Sequence, residues 1–258
     1  MAWLKTIIHE LVLKATRTRI LFIKNLMIKL FMRHYQIKLN EYSRTSISEY
    51  KSFNDFFTRE LSLNNRPIDE SANTIISPVD GTVAEFGSIK LGKLIQVKGI
   101  DYRLDEFLNH QESLIKIFEN GFFISIYLAP YNYHRVHLPY EGTLVDSAMV
   151  PGTTHRVDQE ALRTIKNLYI ENQRLVSNFE SNIFNFSLIM VAALNVSSMS
   201  ITPKNSGSKF YKKAEEYGRF NLGSTVVLLF PESVKLDWST AITVGQKVKF
   251  GECIAKVR

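Results

Sequence analysis

Apolar residues recur along this chain with two different periods. Through residues 1–39 they return every three or four positions: Leu4, Ile7, Ile8 and Leu11 share one helical face, and Ile23, Leu26, Met27 and Leu30 share another. Amphipathic helices are the predicted result. Further on, β-branched and aromatic residues gather into short runs, and Lys93 to Val97, Phe122 to Leu128, Phe184 to Ser198 and Val226 to Phe230 read as strands. Ser46 with Glu49 three residues later has capping-box spacing ahead of Tyr50, Phe53 and Phe56, which predicts a helix start. Asn64, Asn65, Arg66 and Pro67 predict a loop, and Pro78 with the Asp80, Gly81 pair predicts a tight turn. Residues 156–182 read as loop or partial helix, Lys204 to Arg219 as a basic connection, and the closing VGQKVKFGECIAKV as a Gly-punctuated β pattern.

Composition narrows the class. At 258 residues the chain fits one large domain or a domain with an appendage. Its 45% apolar and 22% charged residues are those of a globular protein. A formal net charge of +7 favours an anionic partner. Zinc-finger spacing, an RNP-type aromatic motif and a helix-turn-helix signature are all missing, which turns attention from nucleic acid to anionic lipid. Cys253 is the single cysteine, so an internal disulfide and a Cys-rich metal site are excluded.

The basic residues are concentrated at the start. Residues 1–39 carry Lys5, Lys14, Arg17, Arg19, Lys24, Lys29, Arg33 and Lys38 against Glu10 alone. These charges interrupt the apolar positions too often for a membrane span of about eighteen residues, and no small-residue cleavage site follows a clean apolar core. Two readings remain open: helices packed on the protein's own core, or helices lying in a membrane interface.

Three stretches carry candidate chemistry. Gly223, Ser224 and Thr225 set a hydroxyl at the mouth of the Val226 to Phe230 run, as a loop entering a core strand would also do. PYNYHRVHLP places His134 and His137 three apart around Arg135, and without a third ligand at metal spacing the choices are packing or proton transfer. Asp80 before Gly81 is a turn former on backbone grounds alone, and for Arg59 the simplest reading is a surface ion pair.

Together, FFTREL with RP, SPVDGTV, YHRVHLP with EG, VPG, an ENQR segment, AALNV, GRFNLGST and the closing FGE resemble the phosphatidylserine decarboxylase family of pyruvoyl enzymes over most of residues 53–258. That resemblance implies a proenzyme that cuts itself between Gly223 and Ser224 into a larger β chain, 1–223, and a smaller α chain, 224–258. It implies a processing triad in which Asp80 aligns His137 and His137 deprotonates Ser224. Ser224 then becomes a covalent pyruvoyl group, which forms a Schiff base with phosphatidylserine and releases carbon dioxide and phosphatidylethanolamine. His134 is the implied proton donor, and neither a metal nor pyridoxal phosphate is called for. The Thr154, His155, Arg156 stretch and KKAEEYG depart from the family pattern and bear on headgroup contacts rather than on the triad.

The implied fold is α+β, a largely antiparallel β core, barrel- or sandwich-like, with amphipathic N-terminal helices. Residues 1–45 form the membrane-associating segment and 46–258 the decarboxylase core. The implied partners are phosphatidylserine in an anionic membrane surface and the α and β chains of one proenzyme, with a homodimer left open and no nucleic acid. A peripheral position on the cytoplasmic face of a bacterial inner membrane follows. Of the rival readings, a biotinyl or lipoyl carrier would account for VDGTV and VGQKVKFGE, but it lacks a modifiable lysine in a hairpin. An uncleaved scaffold would have to retain Asp80, His137, Gly223 and Ser224 without using them. A pyruvoyl decarboxylase of a soluble amino acid would have no use for the basic N-terminus.

Overall fold

Strand Ser224–Phe230 lies inside an antiparallel sheet, paired with Phe122–Leu128 on one side and Asn185–Ala192 on the other. The computed structural model describes residues 14–62, 66–90, 92–96, 100–157, 159–193, 199–204, 206–221 and 224–258. Within them the full order of this sheet is Phe210–Tyr211, Gly142–Val150, Arg174–Glu180, Asn185–Ala192, Ser224–Phe230, Phe122–Leu128, Gly81–Ser88 and Lys247–Val248.

All residues of the central strand are buried, which explains why its Val226 to Phe230 run is continuously apolar instead of alternating: the sheet is covered on both faces. Val226, Leu228 and Phe230 pack with Ile126, Leu188 and Met190 under two three-stranded sheets. Val227 and Leu229 face the other way, onto Phe107, Phe118 and Leu168 from helices Leu104–Phe107, Glu112–Phe118 and Leu168–Glu171. Each fully buried side chain of this kind contributes about 1.5–3 kcal/mol. The α+β class is as expected, and of the two shapes the sandwich describes it: the edge strands Phe210–Tyr211 and Lys247–Val248 do not pair to close a barrel.

Two segments depart from expectation. Arg174–Glu180 is an interior strand of the main sheet, not loop. Its polar letters hid it, and tertiary partners accommodate them: Arg174 donates to the carbonyls of Phe107 and Glu106, and the Ser177 hydroxyl accepts from Tyr217. The basic connection 204–219 likewise contains strand Phe210–Tyr211 and enters strand Glu216–Phe220. Gly81 is needed where its strand crosses Phe122–Leu128, since a β-carbon there would stand 2.5 Å from the Tyr127 carbonyl oxygen.

The expected face of Leu4, Ile7, Ile8 and Leu11 lies outside the described residues. Helix α1, Leu21–Tyr35, follows it, and helix α2, Phe53–Phe57, is capped by the Ser52 hydroxyl accepting from the Asp55 amide at 3.1 Å. The Ser46 amide donates to Glu49 at 2.7 Å, starting a short 3₁₀ turn ahead of α2. Both helices join a third core of Ile28, Tyr50, Phe53, Phe56 and Phe57 with Tyr133 and Phe250. Helix α1 is oriented against simple expectation. It buries Lys24, whose Nζ donates to the Tyr50 carbonyl at 2.6 Å, while Phe22 is 77% exposed and Leu21, Leu26 and Leu30 are exposed as well.

Candidate active site

Ser224 opens the central strand and is fully buried, between Leu128 and Ala192 on the flanking strands. Its Oγ has no hydrogen-bond partner among the described residues. A buried hydroxyl left unpaired costs about 1–3 kcal/mol, so this position bears a cost that packing does not explain. Gly223, the other half of the expected cleavage site, lies outside the described residues.

The segment bearing the two histidines is laced to the rest of the site through backbone. The His137 amide donates to the Pro78 carbonyl at 2.9 Å, and the Phe220 amide donates to the His134 carbonyl at 2.9 Å. SPVDG, YHRVH and GRFN, far apart in sequence, therefore meet at one edge of the sheet.

His137 has both ring nitrogens engaged. Nδ1 lies 2.8 Å from the Ala214 carbonyl and Nε2 lies 2.8 Å from the Tyr133 hydroxyl. A carbonyl can only accept, so Nδ1 carries the proton and Nε2 keeps its lone pair, the tautomer a general base needs. Ala214 aims its carbonyl from a left-handed conformation, φ 66°, that costs an L-residue about 1–2 kcal/mol. The Phe250 ring stacks on the imidazole at 3.8 Å.

Asp80 does not bond to His137 directly. Its Oδ1 accepts from Arg66 Nη1 and from the Phe250 amide at 2.8 Å, and its Oδ2 accepts from Arg66 Nη2 at 3.2 Å. Phe250 is thus the link between them, holding Asp80 through its backbone and His137 through its ring. Arg66, with its side chain only 5% exposed, also reaches Glu41. The sequence marked Arg66 and Phe250 only as letters within RP and FGE, and nothing in it pointed to Tyr133 or Ala214.

His134 is fully buried, stacked on Phe57 at 4.1 Å. Neither of its ring nitrogens has a partner of hydrogen-bond geometry among the described residues, though the Pro130 and Ala129 carbonyls lie near enough to favour the charged ring slightly. Arg59 is also buried, not on the surface: Nη2 donates to the Tyr42 hydroxyl at 3.1 Å and the Tyr131 carbonyl at 2.9 Å, while Nε and Nη1 remain unpartnered among the described residues. Along Phe57 to Arg59, each residue touches the 131–135 stretch, because the Thr58 carbonyl accepts from Arg135 Nε at 2.9 Å. Ser224, His134 and Arg59 each leave buried polar atoms without a hydrogen-bond partner among the described residues, as do Asn25, Tyr169 and Thr225. Among the described residues no cluster of histidine, cysteine and carboxylate side chains has the makings of a metal site.

Burial drives both histidines toward neutrality. His134 falls to about 3, with Arg59 adding to the effect of burial, and His137 falls to about 4 despite the Ala214 carbonyl. Histidines in the unfolded chain titrate near 6.5, so below that pH the unfolded state binds more protons and folding stability drops as pH falls. The stability is present in full above about 6.5 and is lost toward 4, by about 1.4 kcal/mol per histidine per pH unit. Urea unfolding at pH 7 and pH 5 should reveal a loss of several kcal/mol; equal midpoints would mean that the histidines are not held neutral.

Comparison with known proteins matches this chain to a described family. The family model described as phosphatidylserine decarboxylase matches residues 53–256. The phosphatidylserine decarboxylase proenzyme of Psychrobacter arcticus is 37% identical over 248 residues, covering 92% of this chain and 89% of the relative. That of Idiomarina loihiensis is 35% identical over 273 residues, covering 98% and 93%, and that of Nitrosococcus oceani is 33% identical over 267 residues, covering 97% and 87%. With a matching family model over residues 53–256 and relatives that cover nine-tenths or more of its length, the chain belongs to the phosphatidylserine decarboxylase family.

Proposed function

We propose that this chain is a self-processing proenzyme that cleaves between Gly223 and Ser224 and then decarboxylates phosphatidylserine to phosphatidylethanolamine. The observation that carries the reading is the buried Ser224 hydroxyl at the head of the central strand, without a partner among the described residues. In this reading Ser224 Oγ attacks the Gly223 carbonyl, the amide becomes an ester, and β-elimination frees the Gly223 carboxylate and leaves dehydroalanine. Hydrolysis with one water then releases ammonia and leaves a pyruvoyl group on residues 224–258. His137 receives the hydroxyl proton, for which its unprotonated Nε2 must exchange Tyr133 for Ser224. Asp80 acts through Phe250 and Arg66, orienting the imidazole rather than bonding to it.

The pyruvoyl group would supply an electron sink for the loss of carbon dioxide from the substrate's amino-acid carbon. The polar atoms left open by Ser224, His134 and Arg59 fit a small carbonyl group and a charged substrate. His134 reprotonates the carbon. Its neutrality is relieved when an anionic substrate enters, because a nearby negative charge favours the protonated ring.

Helix α1 supports a bilayer-surface position within this reading. It buries Lys24 and turns Phe22, Leu26 and Leu30 outward, and Arg17 and Arg19 stand just before it. None of the described helices is long and apolar enough to cross a membrane. Replacing Phe22, Leu26 and Leu30 together by serine should weaken binding to anionic vesicles by at least about a hundredfold, and added salt should weaken the parent protein's binding too. Unaltered vesicle sedimentation of the triple variant would leave α1 without an interfacial role.

Intact-mass spectrometry of the purified protein tests the chemistry. Two chains divided after Gly223, the smaller lighter than its encoded mass by one ammonia, are expected. A single chain of full mass would remove the self-processing step.

A further inference from the structure

An open groove of about 570 Å³ has walls that include Arg17, Arg19, Lys51 and Arg219 together with Asn54 and Asn221. Its one carboxylate, Asp55, is already neutralised: Arg44 spans both of its oxygens at 2.7 and 2.9 Å, and the Lys51 amide donates to it at 2.7 Å. Arg17, Arg19 and Arg219 form no ion pair with any carboxylate among the described residues. The groove therefore carries an uncompensated positive charge.

Two features tie this charge to the reaction centre and to lipid. Asn54 Nδ2 donates to the Asn221 carbonyl at 3.1 Å, so the floor of the groove is the chain three residues before Ser224, and those three residues span at most about 10 Å. Arg17 and Arg19, also in the groove wall, run directly into the exposed Ile20, Leu21 and Phe22 at the start of α1. Apolar surface, cationic groove and buried hydroxyl thus follow one another in the order acyl chain, phosphate and amino-acid headgroup.

We propose that this groove binds the phosphodiester of the phospholipid substrate, with Arg17, Arg19 and Arg219 as its anion contacts. The proposal rests on the decarboxylase reading for the identity of the substrate, and on the groove itself for its charge. Guanidinium groups suit it because they present paired donors to phosphate oxygens and stay charged.

Dihexanoylphosphatidylserine dissolved as monomer is the probe. Against the parent enzyme, R17Q/R19Q and, separately, R219Q should each raise KM at least about tenfold with a much smaller change in kcat. A KM unchanged on the monomer, with a rise confined to anionic vesicles, would overturn the proposal by assigning the charges to bystander lipids. Calorimetric binding of dihexanoylphosphatidic acid, which has no serine to decarboxylate, tests the groove independently of the reaction. Weakening by about tenfold in the variants supports the subsite even if the parent protein proves to have no decarboxylase activity, and equal affinity in parent and variants overturns it. Arg17 and Arg19 are exposed, so their replacement leaves the fold intact should Arg219 prove structural.

Discussion

Replacement of Ser224 by alanine is expected to leave the protein as one chain of full encoded mass, with no decarboxylation. The effect is complete because the hydroxyl is both the nucleophile of the cleavage and the source of the pyruvoyl carbon skeleton. The same substitution should not harm folding. Ser224 Oγ is buried without a partner among the described residues, and deleting an unsatisfied buried hydroxyl removes a desolvation cost of about 1–3 kcal/mol. S224A should therefore unfold in urea in one cooperative transition, at a midpoint no lower than that of the processed parent protein. Stability retained with processing abolished is the pattern of a functional group kept at the expense of stability. Appearance of a 224–258 fragment from S224A would put the cleavage elsewhere. A sharp loss of stability would mean that the hydroxyl has a structural partner.

Replacement of Asp80 by asparagine is the second large effect, and here structure and chemistry have to be separated. Asp80 is the carboxylate facing buried Arg66 and anchors the Phe250 amide. Losing its charge leaves Arg66 with Glu41, whose side chain is 42% exposed, and an uncompensated buried charge costs about 3–5 kcal/mol. D80N alone should therefore lose both self-cleavage and stability. The double variant R66M/D80N removes the stranded cation together with the lost anion, and should recover most of the stability. Cleavage should remain absent in it if the negative charge of Asp80 is needed to orient His137 and stabilise its protonated form during the transfer. Cleavage restored alongside stability would reduce Asp80 to a scaffold role.

The chain announced much of this in its letters. The continuous apolar run Val226 to Phe230 and the run Phe122 to Leu128 read correctly as strands, because burial on both faces leaves no polar alternation to confuse the reading. The capping-box spacing at Ser46 was legible because it is a contact between residues three apart. Arg174–Glu180 was not legible. Its Arg, Ser and Asn look like loop until Phe107, Tyr217 and Ser187 supply their partners. Helix α1 was legible as amphipathic, but which side faces inward was decided by Tyr50, whose carbonyl takes the Lys24 ammonium into the interior.

The sequence by itself determined the family, the residue types of the expected site and the alternation of buried strands, since these depend on local order and on motifs that can be read in a line. Only the tertiary structure decided who touches whom. Asp80 meets the Phe250 amide across 170 positions and Asn54 meets Asn221 across 167, distances over which no periodicity carries information. Burial then did the rest. Removal from water made His134 and His137 neutral, took Arg59 off the surface, and left the Ser224 hydroxyl without a partner among the described residues where the central strand begins.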